Sequence, residues 1–472
     1  MINLNARSRR FIPVLMLVSF GFFTLIHFSG YLADSSTLEF LIFTEIVLWA
    51  IWGYRRYFFP FLMLIFLLAG TSVPTLEFWR AIRWPVLGIG GLVGVIISMR
   101  QPEHQLNKFH LLAFFCVTAA FVSSFSSSYP VDSRFKVLSL LLLFIYAASG
   151  MRIAVEGKEQ GFFIGLLKFS EALTYFSGFC YFVLDYKFFG NPNSLGAMMG
   201  VVVVPTLLWG VVISRKLAGH TRYLVALLLS VLLLLTSHAR AGMLAACISA
   251  FFICIGLRRY RMLVLLASAS LAIAMMMEYR PDAVSDRAQS LASTFIYKGV
   301  PEKGILASRK SPWQQTMLSV REHSWFGTGF GTSATGNDES EAFNSFKSTA
   351  RNTREHGNSY LAILEWVGVL GVWPFLALLF TITLELVKAL LRIRALRNAA
   401  ASPLVPASGI VIAGLVHAGF EDWLFATGYY LCVLFWGIAF VLVDLVALSE
   451  RSLDFPSTKE PSFVETVSTL RV

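Results

Sequence analysis

Arg354-Glu355-His356-Gly357-Asn358-Ser359-Tyr360 closes a long polar segment that begins near Met277, and an apolar stretch over 359–387 follows it at once. Elsewhere the chain is a near-continuous series of apolar stretches. That contrast decides the fold: many membrane spans and one elaborate extramembrane loop. Composition points the same way. Of 472 residues 56% are apolar, 42 are Phe and only 14% are charged, with a mean hydropathy of +0.67. Too little polar surface is left to cover a water-soluble globule of this length. The class expected is all-α, a polytopic membrane helix bundle of 12–14 transmembrane helices with one large, partly helical periplasmic loop.

Fourteen candidate spans lie near 11–29, 37–54, 57–74, 83–99, 110–128, 137–151, 162–186, 195–214, 222–237, 241–257, 261–277, 359–387, 403–420 and 427–447. Several are shorter than the roughly 20 residues needed to cross about 30 Å of hydrocarbon, so one or two would be re-entrant or half-buried. Lys and Arg are retained on the cytoplasmic side, which tests the count. With Arg7, Arg9 and Arg10 inside, the inside connections carry Arg55, Arg56, Arg100, Lys108, Arg152, Lys158, Arg215, Lys216, Arg222, Arg258, Arg259, Arg261, Lys388, Arg392, Arg394 and Arg397. The short outside connections hold only Arg80, Arg83, Arg134, Lys136, Lys187 and Arg240. Both termini are therefore expected in the cytoplasm and the long loop outside. The net charge of +11 follows from inner-face cations beside anionic lipid and calls for no nucleic acid. No small-residue cleavage site clearly follows the first span, which is expected to be retained. The organisation expected is a transmembrane block over 1–277 of about eleven spans, a periplasmic loop over 278–358, C-terminal transmembrane helices over 359–450, and a disordered cytoplasmic tail over 451–472 that is poor in apolar residues.

Several chemistries are set aside by residue type and position. Cys116, Cys180, Cys247, Cys254 and Cys432 all fall inside spans, so neither a disulfide nor thiol chemistry is expected. The histidines are scattered without metal-ligand spacing, so no metal and no cofactor is expected. Gly327-Thr328-Gly329-Phe330-Gly331 is like a phosphate loop but lacks the Lys-Ser/Thr that follows one; a flexible hinge is expected there instead.

Within the loop, Pro312 can open a helix over 309–321 with Trp313, Met317 and Val320 on one face. Gly336 to Thr353 would form a mobile flap. Asn358 or Ser359 caps the next span, and His356 lies just outside its N-terminus. Unpaired N–H groups and partial positive charge there would keep the imidazole neutral and able to accept a proton; the plainer alternative is a solvated loop residue beside a cap. Arg240, in the short connection Ser237-His238-Ala239-Arg240, either snorkels to the boundary or stands at the mouth of the bundle. The turn Gly190-Asn191-Pro192-Asn193-Ser194 either offers amides to sugar hydroxyls or only caps a helix.

The segment His356-Gly357-Asn358-Ser359-Tyr360-Leu361-Ala362-Ile363-Leu364-Glu365-Trp366-Val367-Gly368-Val369-Leu370-Gly371 resembles the signature of the O-antigen ligase superfamily, a His and Asn followed by helix and then Gly-x-x-Gly. It departs by one residue, since Gly357 separates His356 from Asn358. The resemblance extends to the hairpin around Arg240, the Asn191-Pro192-Asn193 turn, the Arg309 and Trp313 pair and the Trp325 to Gly331 stretch, so it covers roughly 185–450; the first 180 residues match only in hydropathy. It implies a glycosyltransferase that moves a glycan from an undecaprenyl-diphosphate carrier to a sugar hydroxyl on the outer face of the bacterial inner membrane, inverting the anomeric centre without metal or nucleotide. Partners implied are the carrier-linked glycan, a saccharide acceptor (lipid A–core or a growing polysaccharide) and membrane lipids. Displacing a diphosphate needs fixed cations near the leaving oxygens, and attack by a hydroxyl needs a base. His356 is then expected as general base, Arg240 and Arg309 as the diphosphate clamp, and Arg321 and Arg354 as reserves for it. Asn193, Asn358 and Glu421 would contact the acceptor or orient the histidine. Polysaccharide polymerases and protein O-oligosaccharyltransferases of the same superfamily differ only in acceptor. A lipid-linked glycan transporter would also be a many-span bundle with arginines, but would place polar groups at the midplane rather than at the outer mouth.

Overall fold

The computed structural model describes residues 54–71, 76–100, 107–214, 219–261, 307–333, 355–396 and 398–454, together with Thr44, Glu45, Leu48 and Val264. The expected span near 11–29, most of those near 37–54 and 261–277, the flap, Arg354 and the tail from 455 lie outside the described residues.

Among the described residues every regular element is helical. In chain order they are α1 (Phe59–Ala69), α2 (Leu76–Met99), α3 (Lys108–Ser123), α4 (Pro130–Val155), α5 (Glu159–Phe182), α6 (Pro192–Ile213), α7 (His220–Thr236), α8 (Arg240–Gly256), α9 (Ala307–Glu322), α10 (Ser359–Ala395), α11 (Leu404–Ala418) and α12 (Tyr430–Asp454). Six helical stretches, in α2, α3, α4, α6, α10 and α12, are long and apolar enough to cross a membrane, and α1, α7, α8 and α11 are shorter apolar helices. Helices meet the requirement that each backbone polar group find its partner within its own segment, which lipid imposes. The protein is an all-α polytopic membrane protein.

Two helices form the centre. Along α12 nearly every side chain from Leu431 to Val446 is buried, and along α6 the same holds from Leu195 to Val212. The outer helices turn large apolar side chains outward, among them Phe114 and Phe115 of α3, Phe176 and Phe179 of α5, and Trp373 and Phe380 of α10. In water such a surface would be a liability; in hydrocarbon it is the favourable one, and small residues then dominate the helix contacts. Thus α6 and α8 touch through glycine: a Cβ on Gly200 would lie 2.2 Å from the Gly242 carbonyl oxygen, and one on Gly196 would lie 2.1 Å from the Ala239 Cβ. This crossing sets the Asn191–Asn193 turn beside the α7–α8 connection that carries Arg240.

Contacts between the connections mark a loop end, which carries 324–333 and 355–358, and a far end, where the start of α3 meets α4 and α12. At the far end Arg152 of α4 forms a two-pronged pair with Asp444 of α12, Nη2 lying 2.8 Å from Oδ1. Its Nη1 lies 2.9 Å from His110 Nε2, and His110 Nδ1 lies 2.6 Å from Asn107 Oδ1, the cap of α3.

At the loop end α10 is broken. Gly368 takes φ 67° and ψ −177°, far from helical, and the backbone groups set loose find partners in the segment after α9. Thr328 N–H donates to Glu365 O at 2.9 Å and Gly329 N–H to Trp366 O at 3.1 Å, while Val369 N–H donates to Ser324 O at 2.8 Å and Leu370 N–H to Trp325 O at 3.2 Å. Non-helical backbone at membrane depth is tolerated only where protein satisfies it in this way. Gly327, Gly329 and Gly331 all have positive φ and are buried, and the α3–α4 connection and the start of α4 grip the same segment: Ser126 Oγ donates to Gly327 O at 3.0 Å, Ser133 Oγ to Phe330 O at 3.0 Å, and Lys136 Nζ to Gly331 O. The glycine run expected as a flexible hinge is instead a buried splice in a broken helix.

The helix expected over 309–321 is present but begins earlier, at Ala307, with Pro312 inside it. Thr316 and Ser319 are buried, whereas Met317 and Leu318 are exposed.

Candidate functional site

The site grows from the start of α10. Asn358 is its cap, with Oδ1 accepting from Tyr360 N–H at 2.8 Å and Leu361 N–H at 3.1 Å. Gly357 takes φ +63°, which an L side chain adopts only at a cost. The bare backbone there leaves room for Arg309 of α9, whose Nη1 would be 2.9 Å from a Cβ at this position. Trp313, one turn further along α9, donates from Nε1 to Gly357 O at 3.1 Å.

His356 is buried, its side chain 2% exposed, between two carboxylates. Nδ1 and the backbone N–H both meet Asp422 Oδ2, at 3.2 and 2.8 Å, and Nε2 lies 3.3 Å from Glu365 Oε2. Glu365 sits two turns into α10, and helical side chains lean toward the N-terminus, which aims it back at the ring. Trp366 closes the site edge-on, its ring centroid 5.4 Å from the imidazole.

Burial alone would favour the neutral ring, but the carboxylates of Asp422 and Glu365 outweigh it and hold the His356 pKa above its ordinary value. The helix N-terminus expected to keep the imidazole neutral is thus opposed by two carboxylates. The first N–H groups of α10 are taken by Asn358, and two carboxylates lie within bonding distance of the ring. Burial likewise opposes charge on Asp422, but the ring and backbone N–H of His356 keep its carboxyl below the usual range.

Arg309 is 14% exposed and splits its guanidinium between two segments. Nη1 donates to Glu355 Oε1 at 2.8 Å, and Nη2 pairs with Glu421. Burial pushes the Glu421 carboxyl up to about 7 despite Arg309. Glu421 and its neighbour Asp422 thus hold the arginine and the histidine from one turn. That turn is itself tied down: Ser359 Oγ donates to Glu421 O at 2.6 Å and accepts from Leu424 N–H at 3.1 Å, Arg83 donates to Gly428 O at 2.8 Å, and Tyr430 Oη donates to Ser194 O at 3.1 Å. Arg240, the first residue of α8, lies within the electrostatic reach of Arg309.

Of the residues singled out by sequence, Arg240, Arg309, His356 and Glu421 gather at one mouth, with Asn358 as a cap and Asn193 in the neighbouring turn. Arg321 is not brought in. It stands twelve residues along α9 from Arg309, about 18 Å at 1.5 Å per residue, and is exposed. Sequence reasoning passed over Asp422, Glu355 and Glu365. A signal existed for Glu365, an ionisable residue inside an apolar span and hence a site candidate by default. Chemically, the mouth offers two fixed cations for an anion with several oxygens and an imidazole whose proton is held by carboxylates on both sides.

Residues 224–376 match the family model described as O-antigen ligase. The matched part runs from α7 through α8 and α9 to just beyond the break in α10, so it includes Arg240, Arg309 and His356 but not Asn193, Glu421 or Asp422. No curated protein matches the chain.

Proposed function

From an O-antigen ligase-like region over residues 224–376, we infer that the chain is a glycosyltransferase of surface polysaccharide assembly, acting on a glycan carried by undecaprenyl diphosphate. The chain would lie in the bacterial inner membrane with both termini cytoplasmic and the loop end periplasmic. Arg240 and Arg309 receive the carrier diphosphate and stabilise the charge that grows on it as the glycosidic oxygen leaves. The acceptor hydroxyl attacks the anomeric carbon from the opposite side, inverting it, and loses its proton to His356 Nε2. Asp422 fixes Nδ1 as the N–H side of the ring, and Glu365 stabilises the imidazolium that results. Because these carboxylates raise the His356 pKa, the base form grows in as pH rises through a value above 6.5, and so does the rate.

The observation that supports this most is the shared turn. Adjacent carboxylates, Glu421 and Asp422, hold the candidate diphosphate cation and the candidate base beside one another. The candidate site residues Arg240, Arg309, His356 and Glu421 also gather at the loop end rather than at mid-span, which suits surface chemistry better than transport.

The test uses purified protein in detergent with undecaprenyl-diphosphate-linked glycan, comparing wild type with His356→Ala and Arg240→Ala. Release of carrier diphosphate is followed with and without candidate acceptors in excess chelator. Release that needs an acceptor, survives chelation and collapses in both variants is the expected outcome. The acceptor that works, lipid A–core, a growing polysaccharide or a protein hydroxyl, separates ligase from polymerase and O-oligosaccharyltransferase. No release with any acceptor, with carrier binding intact in His356→Ala, would point to a lipid-linked glycan transporter instead.

A further inference from the structure

Both Nη atoms of Arg309 already donate to carboxylates of the chain itself, Nη1 to Glu355 and Nη2 to Glu421. The two carboxylates differ in freedom. Glu355 is 65% exposed and sits two residues before the left-handed Gly357; Glu421 is 17% exposed and belongs to the braced turn that also holds His356. A diphosphate offering two oxygens to this guanidinium cannot share the fork with both carboxylates, because like charges on one cation repel. Arg240, in the field of Arg309, adds the second cation that makes a multiply charged anion the better partner.

We propose that Glu421 is an exchangeable occupant of the donor's anion site, bound to Arg309 until the carrier diphosphate displaces it. The inference rests on the donor assignment above and adds to it: the site is kept neutralised by the chain's own carboxylate, and donor binding is an exchange rather than an addition. Glu355 shares the role more weakly, since water screens an exposed pair. The exchange also gives donor binding a route to the base. The turn that must yield Glu421 carries Asp422 next to it, and Asp422 is bonded to both the ring and the backbone N–H of His356.

The experiment measures the Kd of undecaprenyl diphosphate in detergent for the whole protein and its variants. Glu421→Gln removes the competing charge and is expected to tighten binding about tenfold. Glu421→Asp, which keeps the charge, stays near wild type. Glu355→Gln, on an exposed side chain that folding does not need, tightens about threefold. Arg309→Gln weakens binding strongly. An unchanged or weaker Kd in both Glu→Gln variants, with Arg309→Gln still losing affinity, overturns the exchange and leaves the donor site standing. An Arg309→Gln protein that binds like wild type overturns the donor site itself.

Discussion

At the far end of the bundle Arg152 meets Asp444 and His110; at the loop end Arg309 meets Glu421 and Glu355 beside His356 and Asp422. The residue types are the same and the wiring is not. Arg152 gives two prongs to a single carboxylate, and His110 is backed by the amide that caps its own helix, so the cluster is a closed latch between α3, α4 and α12. Arg309 divides its fork between two carboxylates on separate segments, one of them largely in water, and His356 has a carboxylate at each ring nitrogen. An arginine bound twice by one partner resists exchange; one bound once by each of two partners can trade either. The far end holds helices together, and the loop end holds charge in readiness.

The sharpest way to break this contrast is to neutralise one arginine or its partner at each end. Arg309→Gln is expected to lower acceptor-dependent diphosphate release by about 10³-fold, the size of losing a fixed donor to a developing anion. Asp444→Asn should cost stability and leave release intact. Removing one partner of a largely buried pair costs about 3 kcal/mol of stability, seen as a large drop in melting temperature with release per folded molecule within about twofold of wild type. An Asp444→Asn protein that melts like wild type would show that the far-end cluster is no latch.

Asp422→Asn sharpens the comparison within the site. Loss of the group that orients the base should slow release by about 10²-fold and move the acid limb of the pH–rate profile toward lower pH, because a carboxylate that raises the His356 pKa is gone. A smaller effect follows from Glu421. Its carboxyl is neutral more readily in the folded protein than in the unfolded chain, rising from 4.5 to about 7. The stability it contributes is therefore complete below pH 4.5 and lost as pH rises through about 7. Glu421→Gln should flatten that part of the melting curve measured against pH. Arg321→Ala should change release by less than about twofold, and a large loss there would put the anion site somewhere other than between Arg240 and Arg309.

Much of this molecule was legible in its sequence for a physical reason. Hydropathy is a local property and lipid demands helices, so the apolar helices among the described residues and the capped start of α10 at Asn358 could be read directly. The site was legible where residue type alone carried the signal, as with the cations Arg240 and Arg309 and the histidine before a cap. It was not legible where pairing decides the role. Asp422 lies 66 positions from the ring it holds. Gly327 to Gly331 resembled a hinge because glycine reports only backbone freedom; the partner strand of carbonyls on α10 that fills that freedom is a tertiary fact.

The break in α10 also works as a gauge of depth. Residues 369–384 separate Gly368 from Glu385, the next charged side chain toward the far end, a rise of about 24 Å, less than the roughly 30 Å of hydrocarbon. With Glu385 at the far edge of the hydrocarbon, the splice would sit below the near headgroups; Trp325, Phe326 and Trp373 lie exposed around it. Because the splice is bonded to α10 on both sides of Gly368, the height of His356 and Arg309 is fixed relative to the helices and not to the lipid. A bilayer of different thickness would raise or lower a carrier headgroup against that fixed height. Transfer in vesicles of graded acyl-chain length should accordingly pass through an optimum.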